Sequence, residues 1–284
     1  MSSGLVVDAH HHFWPQPRPE LYPWLTEPLA GLRRPFGPDD LRPLLEAAGV
    51  DRTVLVQTRS SLDESIDLLA TAAGSGFVAG VVAWVDLTDP EVRRAIARLR
   101  AAPGGERLVG IRHQAHDEAD AGWLARAEVH QGLAAVAEAG LAYDLLVRTP
   151  QLPAAVAAAR ALPSLRFVID HLAKPGIAAG PEDLDWAAGM MPFADLPNVS
   201  CKLSGMVTEA DWAGWQPADL QPYVDRVYSW FGEDRLLYGS DWPVCLVAAD
   251  YGRVMDTLHQ LLSGRSEEAR RKVFGANAMR IYSL

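Results

Sequence analysis

The chain has 284 residues, 49% of them apolar, and a formal net charge of −10 at pH 7. This size and composition allow one large core and are typical of a single α/β barrel domain. The negative charge argues against nucleic acid or an anionic membrane as a partner, because phosphate binding requires clustered Lys and Arg, so a small molecule is the expected partner.

Two absences narrow the class of protein further. The sequence has no apolar run of about 18 residues and no leader of basic, apolar and small-residue regions, so we expect neither a membrane span nor a signal peptide. Its two cysteines, Cys201 and Cys245, form no CxxC pair. This usage fits a reducing compartment, and we expect a soluble, cytoplasmic protein whose cysteines are buried rather than metal ligands.

The first predicted strand covers residues 5–12 and ends in three consecutive histidines. Side chains alternate along a strand, so His10 and His12 lie on one face, about 6–7 Å apart along the backbone, and His11 points the other way. Two imidazoles on one face at a strand end form a metal-ligand pair. The Pro- and Trp-rich segment that follows, at about 15–38, is predicted to be a long active-site loop.

Seven more strands are predicted, each separated from the next by a segment of helical period. They cover residues 53–57, 78–86, 108–114, 142–147, 166–171, 199–204 and 236–241. Among the helix signals between them, a Pro38-Asp39-Asp40 start is followed by a stop at Gly49, and Thr149-Pro150 opens an alanine-rich run to Ala161. Eight such units favour a closed (β/α)₈ TIM barrel of a single domain over an open doubly wound sheet, and no early strand is followed by the GxGxxG turn typical of the open form.

Polar side chains cluster at the C-terminal ends of these predicted strands, where barrel enzymes carry their sites. Polar groups inside a barrel are costly unless they serve a site, and groups on separate strands meet only at one mouth. On the seventh strand, Lys202 shares the inward face with Ser200 and Ser204, so it is predicted to enter the site. The strand-end residues are His10, His12, Gln57, Trp84, Asp86, Arg112, His113, Asp144, His171, Lys174, Lys202 and Asp241.

Three imidazoles and one carboxylate in this set can form a mononuclear site for one divalent metal ion, Zn²⁺ before others, with a position left for water or a substrate oxygen. They are His10, His12, His171 and Asp241. The carboxylate of Asp241 has a second possible role, because it can accept a proton from water and later deliver it to a leaving group. Three other histidines are expected at the surface, on loops or helices: His116, His130 and His259.

Other hydrolytic and nucleotide chemistries lack their motifs. No GxSxG nucleophile elbow is present, and although Ser240 lies at a strand end, the next residue is an aspartate and no elbow turn exposes its hydroxyl. The sequence also has no Walker loop, HExxH helix or EF-hand loop. Hydrolysis by an activated water is the chemistry that remains.

Several motifs, in order along the chain, resemble the amidohydrolase superfamily of the amidohydrolase 2 type. Asp8-x-His10-x-His12 and Gly239-Ser240-Asp241-Trp242-Pro243 are similar to its motifs after the first and eighth strands. Further segments resemble its sugar-lactonase branch, typified by L-fuconolactonases and L-rhamnonolactonases, over residues 6–278. These segments are Phe13-Trp14, Tyr22-Pro23-Trp24-Leu25, Val54-Leu55-Val56-Gln57, Ile169-Asp170-His171-Leu172-Ala173-Lys174-Pro175 and Cys201-Lys202-Leu203-Ser204-Gly205.

The resemblance implies a hydrolase that opens the ring ester of a small aldonolactone with water activated by Asp241. It also implies that His10, His12 and His171 hold a metal or polarise the carbonyl, and that His171 and Lys202 belong to the catalytic group. The residues expected to contact substrate are Trp24, Gln57, Trp84, Arg112, His113, Lys174 and Lys202. Cationic donors aimed at the developing oxyanion can also act without a metal, so the resemblance leaves metal-independent catalysis open.

The sequence departs from the binuclear members of the superfamily. Where they carry a bridging carboxylated lysine, this chain has Arg112-His113, and the fifth strand offers Tyr143-Asp144-Leu145 where many relatives place a histidine. We therefore do not expect a two-metal centre.

Two other functions and the oligomeric state remain open. One rival is a metal-dependent decarboxylase of the same superfamily, and another is a barrel that binds a ligand without catalysis. The retained Asp241 argues against the second rival, since a binding protein gains nothing from a water-activating carboxylate. A homo-oligomer is also possible.

Overall fold

Eight parallel strands in sequential order form the barrel of the computed structural model, which describes residues 4–284. The strands are β1 (Val7–His11), β2 (Arg52–Val56), β3 (Val78–Ala83), β4 (Leu108–His113), β5 (Ala142–Leu145), β6 (Arg166–Ile169), β7 (Val199–Leu203) and β8 (Leu236–Tyr238). The predicted single-domain (β/α)₈ TIM barrel is confirmed. Every predicted strand exists, but each ends one to three residues earlier than expected, because the final polar residues leave the sheet at the barrel mouth.

Helices cover the outside of the barrel and close its floor. They are α1 (Pro38–Ala48), α2 (Leu62–Ser75), α3 (Val92–Ala101), α4 (Ala127–Glu138), α5 (Leu152–Ala161), α6 (Leu184–Met190), α7 (Pro217–Phe231), α8 (Tyr251–Leu261), α9 (Glu267–Arg271) and α10 (Asn277–Tyr282). The predicted signals at both ends of α1 are confirmed, and Gly49 ends it with a φ of 68° that favours glycine. No helix in residues 4–284 is both long and apolar enough to cross a membrane.

The barrel closes between its first and last strands at the mouth. The Asp241 amide donates to the His10 carbonyl at 2.8 Å, and the His12 amide donates to the Trp242 carbonyl at 2.7 Å. These bonds tie the histidine motif of β1 directly to the segment after β8. Closure of the sheet and assembly of the site therefore depend on the same backbone contacts.

Two apolar layers hold the barrel together. The larger layer lies between strands and helices, and includes the outward-facing Cys201 and Leu203 of β7. The smaller layer fills the lower interior with small branched side chains such as Val54 and Val168, and α10 closes it from below with Ile281 and Tyr282. Cys201 and Cys245 are buried free thiols, as expected.

The predicted loop at about 15–38 contains local structure. A short 3₁₀ helix, Glu27–Leu32, lies in it, and Trp14 pairs with Phe36 through two backbone hydrogen bonds of 3.1 and 2.9 Å. The Trp14 and Phe36 rings also meet edge to face. The pairing folds the segment back over the C-terminal end of β1.

The guanidinium of Arg235 joins three elements near the start of β8. Its two terminal nitrogens lie 2.8–3.2 Å from the carbonyl oxygens of five residues on α7, on β7 and on the segment between α6 and β7. These residues are Phe193, Ala194, Leu196, Val199 and Trp230. One side chain thus donates to backbone acceptors of three elements and joins them.

Replacing this side chain should destabilise the barrel. We expect Arg235→Met to lower the free energy of unfolding by about 2–4 kcal/mol, because several hydrogen bonds of about 0.5–1.5 kcal/mol each are lost together. Arg166→Met is the matched control, since Arg166 is the first residue of β6 but donates to one carbonyl, that of Gly140. Urea unfolding of both variants checks the prediction, and equal losses would contradict it.

Candidate active site

Four side chains converge at the C-terminal end of the barrel. Asp241 Oδ1 lies 3.5 Å from Nε2 of His12 and 3.8 Å from Nε2 of both His10 and His171. The Nε2 atoms of His10 and His12 are 3.2 Å apart. All four side chains are buried. The structure therefore brings together the three imidazoles and the carboxylate that the sequence placed on three separate strand ends.

Hydrogen bonds at Nδ1 orient two of the imidazoles. His12 Nδ1 lies 2.7 Å from the Val56 carbonyl oxygen, which can only accept, so this nitrogen carries the proton and Nε2 keeps its lone pair. His171 Nδ1 lies 2.9 Å from the Ser204 hydroxyl. His11 points away, as expected, and contacts Thr53 Oγ1 at 2.8 Å. Contacts at Nδ1 thus fix the rings of His12 and His171, whose Nε2 atoms face Asp241.

A left-handed turn carries His171 and Lys174 out of the sixth strand. The four residues from His171 to Lys174 all have φ between 53° and 60°, and Asp241 has φ of 57°. Non-glycine residues adopt this region at a cost of about 1–3 kcal/mol each, and they cluster where a function requires the geometry. The strain in this barrel is therefore concentrated at the two segments that deliver His171 and Asp241.

Two glycines leave room for the histidine rings. A Cβ on Gly205 would lie 2.5 Å from His171 Nδ1, and a Cβ on Gly239 would lie 2.7 Å from the Cβ of His10. Both distances are well inside van der Waals contact. Each glycine in the motifs after β7 and β8 is therefore needed for the close approach of an imidazole.

A buried network of charges lies directly beneath the imidazoles. Asp170 Oδ2 accepts from the Arg112 guanidinium at 2.9 Å, while its Oδ1 lies 2.9 Å from Lys202 Nζ and 3.2 Å from His10 Nδ1. Lys202 Nζ also donates to Asp144 Oδ2 at 2.6 Å. Two carboxylates and two cations thus compensate one another where water has no access.

Burial and these charges set the protonation states. Burial lowers the pKa of His171 to about 4 and that of His10 well below its usual value. Burial acts in the opposite direction on Asp241, but the neighbouring His171 and His12 outweigh it and lower the pKa of that carboxyl. In the same way Lys202, His10 and Arg112 outweigh burial and hold the pKa of Asp170 well below its usual value. Asp241 is therefore ionised at neutral pH, and His10 and His171 are uncharged.

A cavity of about 330 Å³ opens above this cluster. It is bordered by the segment before α1 and by the loops after β2, β4, β5, β6, β7 and β8. Its wall combines apolar and polar side chains, as a small-molecule site does. The lining residues are His12, Trp24, Leu29, Thr58, Arg112, Gln114, His116, Asp117, Leu146, Arg148, His171, Lys174, Thr208, Glu209, Trp212, Asp241, Val244 and Val247.

Of the residues expected to contact substrate, Trp24, Arg112 and Lys174 line this cavity. Four others lie outside the lining: Gln57, Trp84, His113 and Lys202. Lys202 faces the barrel interior as predicted, but it is fully buried under His10, because Asp144 and Asp170 hold its ammonium there.

The remaining three support the wall instead of forming it. The side-chain amide of Gln57 donates to the Arg112 carbonyl at 3.1 Å. The Trp84 indole donates to His113 Nδ1 at 3.0 Å, and His113 Nε2 lies 2.8 Å from Glu118. These bonds fix the ends of the second, third and fourth strands behind the cavity.

Sequence reasoning missed several residues of the site. His116 was expected at the surface, but it lines the cavity next to Asp117, because the short helix after β4 turns it inward. Arg148 and Glu209 also line the cavity and come from loops with no periodic signal. Asp170 could have been recognised, since it precedes His171 at a strand end where an unpaired acidic residue would be costly.

The donor set fits a divalent metal ion. Two ligand atoms on tetrahedral zinc, each about 2.0–2.1 Å from the ion, lie about 3.3 Å apart, and the Nε2 atoms of His10 and His12 are separated by 3.2 Å. These two histidines and Asp241 form one group with ligand atoms within 4.8 Å of one another. The His12 tautomer also leaves its lone pair directed at the same point.

Curated relatives are similar in sequence to this chain over nearly their whole length. The chain is 42% identical to an L-fucono-1,5-lactonase of Burkholderia ambifaria, over 98% of this chain and 95% of the relative. It is 37% identical to an L-fucono-1,5-lactonase of Burkholderia multivorans, over 99% of this chain and 97% of the relative.

Solved structures with the same fold include one that is also similar in sequence. An amidohydrolase of Burkholderia multivorans with bound zinc superposes with a TM-score of 0.91 and 36% identity, over 99% of both chains. A 2,6-dihydroxybenzoate decarboxylase has a TM-score of 0.65 at 14% identity, covering 100% of both chains, which shows a common fold alone. The amidohydrolase family model matches residues 7–284, and the chain therefore belongs to the amidohydrolase family.

Proposed function

We propose that this protein hydrolyses the ring ester of a small, polyhydroxylated sugar lactone to the open hydroxy acid. The observation that carries this proposal is the Asp241 carboxylate, which is ionised, buried and set among three imidazoles at the base of a cavity of sugar size. The similarity to L-fucono-1,5-lactonases supports the same class of substrate.

Asp241 performs the proton transfers. Its carboxylate accepts a proton from the attacking water as the carbon–oxygen bond forms, and it then returns that proton to the ring oxygen as the ester bond breaks. The reaction consumes one water and yields one carboxyl and one hydroxyl group. A positive φ at Asp241 directs its side chain inward between the histidines.

Arg112 and the imidazoles surround the position that the lactone carbonyl would occupy. The guanidinium of Arg112 lies 3.4 Å from His10 Nε2 and is fixed by Asp170. A donor held in this way stabilises negative charge on the carbonyl oxygen without reorganising. We propose one Zn²⁺ ion on His10, His12 and Asp241, with His171 beside it, and the ion when bound polarises the carbonyl or activates water.

Ion pairing in the cavity wall favours a neutral substrate. Among the lining residues of the described chain, the three cations are already paired with carboxylates. Arg112 is paired with Asp170 at 2.9 Å, and Glu209 pairs with Lys174 at 3.1 Å and with Arg148 at 3.2 Å. A substrate carboxylate would find no unpaired cation there. This arrangement disfavours a decarboxylase, which must bind its substrate as an acid, and suits a polyol whose hydroxyls accept and donate.

Removing the water-activating carboxylate should abolish most of the activity. We expect Asp241→Asn to lower kcat on an aldonolactone panel by at least about a hundredfold, because general base catalysis contributes about that much or more. A pH indicator follows the acid released. Asp86→Asn is the control, since Asp86 also follows a strand but only caps its own turn, 2.8 Å from the Thr88 amide. Wild-type turnover that survives in Asp241→Asn would contradict the assignment.

Substrate charge gives a second test. The wild type should prefer a neutral aldonolactone over a lactone that carries a free carboxylate by at least about tenfold, a difference of about 1.4 kcal/mol. Glu209→Gln leaves Lys174 and Arg148 unpaired, so the ratio of the two kcat/KM values should shift towards the carboxylated lactone. An unchanged ratio in Glu209→Gln would show that cation pairing does not set this preference.

The affinity of the proposed site for Zn²⁺ can be measured independently of activity. Competition with a chromophoric chelator should give one Zn²⁺ per wild-type chain. His12→Asn should weaken the affinity by at least about a hundredfold, since the loss of a residue that only supports a metal ligand can already weaken metal affinity by that factor. His130→Asn serves as control, because His130 lies on α4 outside the site. Equal affinities of wild type and His12→Asn would refute this ligand set. Chelator-treated wild type then shows whether turnover requires the ion.

A further inference from the structure

The last helix of the chain reaches the active site from below. Tyr282, at the end of α10, is 1% exposed, and its hydroxyl lies 2.8 Å from Oδ1 and 2.9 Å from Oδ2 of Asp144. Burial raises the pKa of Tyr282 well above its usual value, so its hydroxyl keeps its proton and donates. Tyr282 therefore supplies a hydrogen bond to a carboxylate on β5 in the middle of the barrel.

Asp144 transmits this contact upward to the imidazoles. Its Oδ2 lies 2.6 Å from Lys202 Nζ, and the same ammonium lies 3.1 Å from His10 Nδ1. Asp144, Lys202 and His10 are all 0% exposed. A continuous chain of contacts between four buried polar side chains thus joins the floor of the barrel to the imidazole of His10.

We infer that Tyr282 is a positioning residue for the lactonase reaction, which holds the Lys202 ammonium beneath His10 by fixing Asp144. The inference rests on the proposed function for its kinetic part only. Within residues 4–284, Asp144 Oδ1 has no hydrogen-bond donor other than Tyr282. Loss of this donor leaves half of a buried carboxylate without a partner, and such a group rotates or takes up a proton.

The position of Lys202 affects the contacts that orient the His10 ring. Nδ1 of His10 lies between a donor, Lys202 Nζ at 3.1 Å, and an acceptor, Asp170 Oδ1 at 3.2 Å. The tautomer in which Asp170 Oδ1 accepts from Nδ1 leaves the lone pair on Nε2. The Lys202 ammonium lies 2.9 Å from the same carboxylate oxygen. A shift of Lys202 away from Asp144 therefore changes the contacts at Nδ1 that orient the His10 ring towards Asp241.

The charged groups around Asp144 set the direction of the pH effect. Lys202 faces it from β7, Asp170 from the turn after β6, Tyr282 from α10, and Arg112 is its register neighbour on β4. Burial raises the pKa of Asp144 to about 6, while Lys202 and Tyr282 act to lower it. Without the tyrosine hydroxyl the pKa rises further, so the ionised form is lost at a higher pH as the solution is acidified.

Tyr282→Phe tests the inference, with Tyr143→Phe as the matched control. Tyr143 is also buried and adjoins Asp144, but its hydroxyl has no partner among the described residues. We expect the acidic limb of the kcat/KM profile to move up by about one pH unit in Tyr282→Phe. Tyr143→Phe should match the wild type. Thermal unfolding of both variants verifies that each is folded.

A readout without turnover separates the two proposals. In metal-free protein labelled with ¹⁵N-histidine, the shift of His10 Nδ1 reports its hydrogen bonding, and it should change in Tyr282→Phe and not in Tyr143→Phe. Asp144→Asn should produce the same change, and Tyr282→Phe should add little to it, since both variants break one chain of contacts. Unchanged His10 shifts and an unmoved acidic limb in Tyr282→Phe would overturn the inference while lactone turnover by the wild type stands. If the wild type hydrolyses no sugar lactone, the proposed function fails and the nitrogen shifts alone decide the role of Tyr282.

Discussion

The buried carboxylate of Asp170 is the contact on which the site depends. It receives Arg112 on one oxygen and faces Lys202 and His10 with the other. Each of these groups alone would be expensive to bury, but together they compensate their charges. Removing one partner would leave an unpaired charge inside the barrel. The network is therefore a single unit that fixes Arg112 against the cavity and His10 beneath Asp241.

Backbone geometry adds a second constraint above this network. The left-handed turn at residues 171–174 and the positive φ of Asp241 are strained, and a stable barrel maintains them. Closure of the sheet between β1 and the segment after β8 uses the Asp241 and His12 amides. The scaffold thus stabilises conformations that the local sequence would not adopt in isolation.

Much of the fold could be predicted from the sequence because the patterns that indicate it are local. The strand periods, the helix boundaries at Pro38 and Gly49, and the alternation that separates His11 from His10 and His12 all follow from neighbours in sequence. The complete burial of Lys202 could not be predicted from the sequence, since it depends on two carboxylates from other strands. The places of His116 and Glu209 in the cavity wall were not predicted for a related reason. Loops have no periodic pattern that predicts the direction of a side chain.

The paired cations of the cavity wall affect the end of the catalytic cycle. In the proposed reaction a neutral ring becomes a carboxylate close to Asp241, with Lys174 and Arg148 already engaged by Glu209. Like charges repel strongly where water is scarce. In that reaction the wall that accepts the neutral lactone therefore binds the acid less well, which favours release of the product.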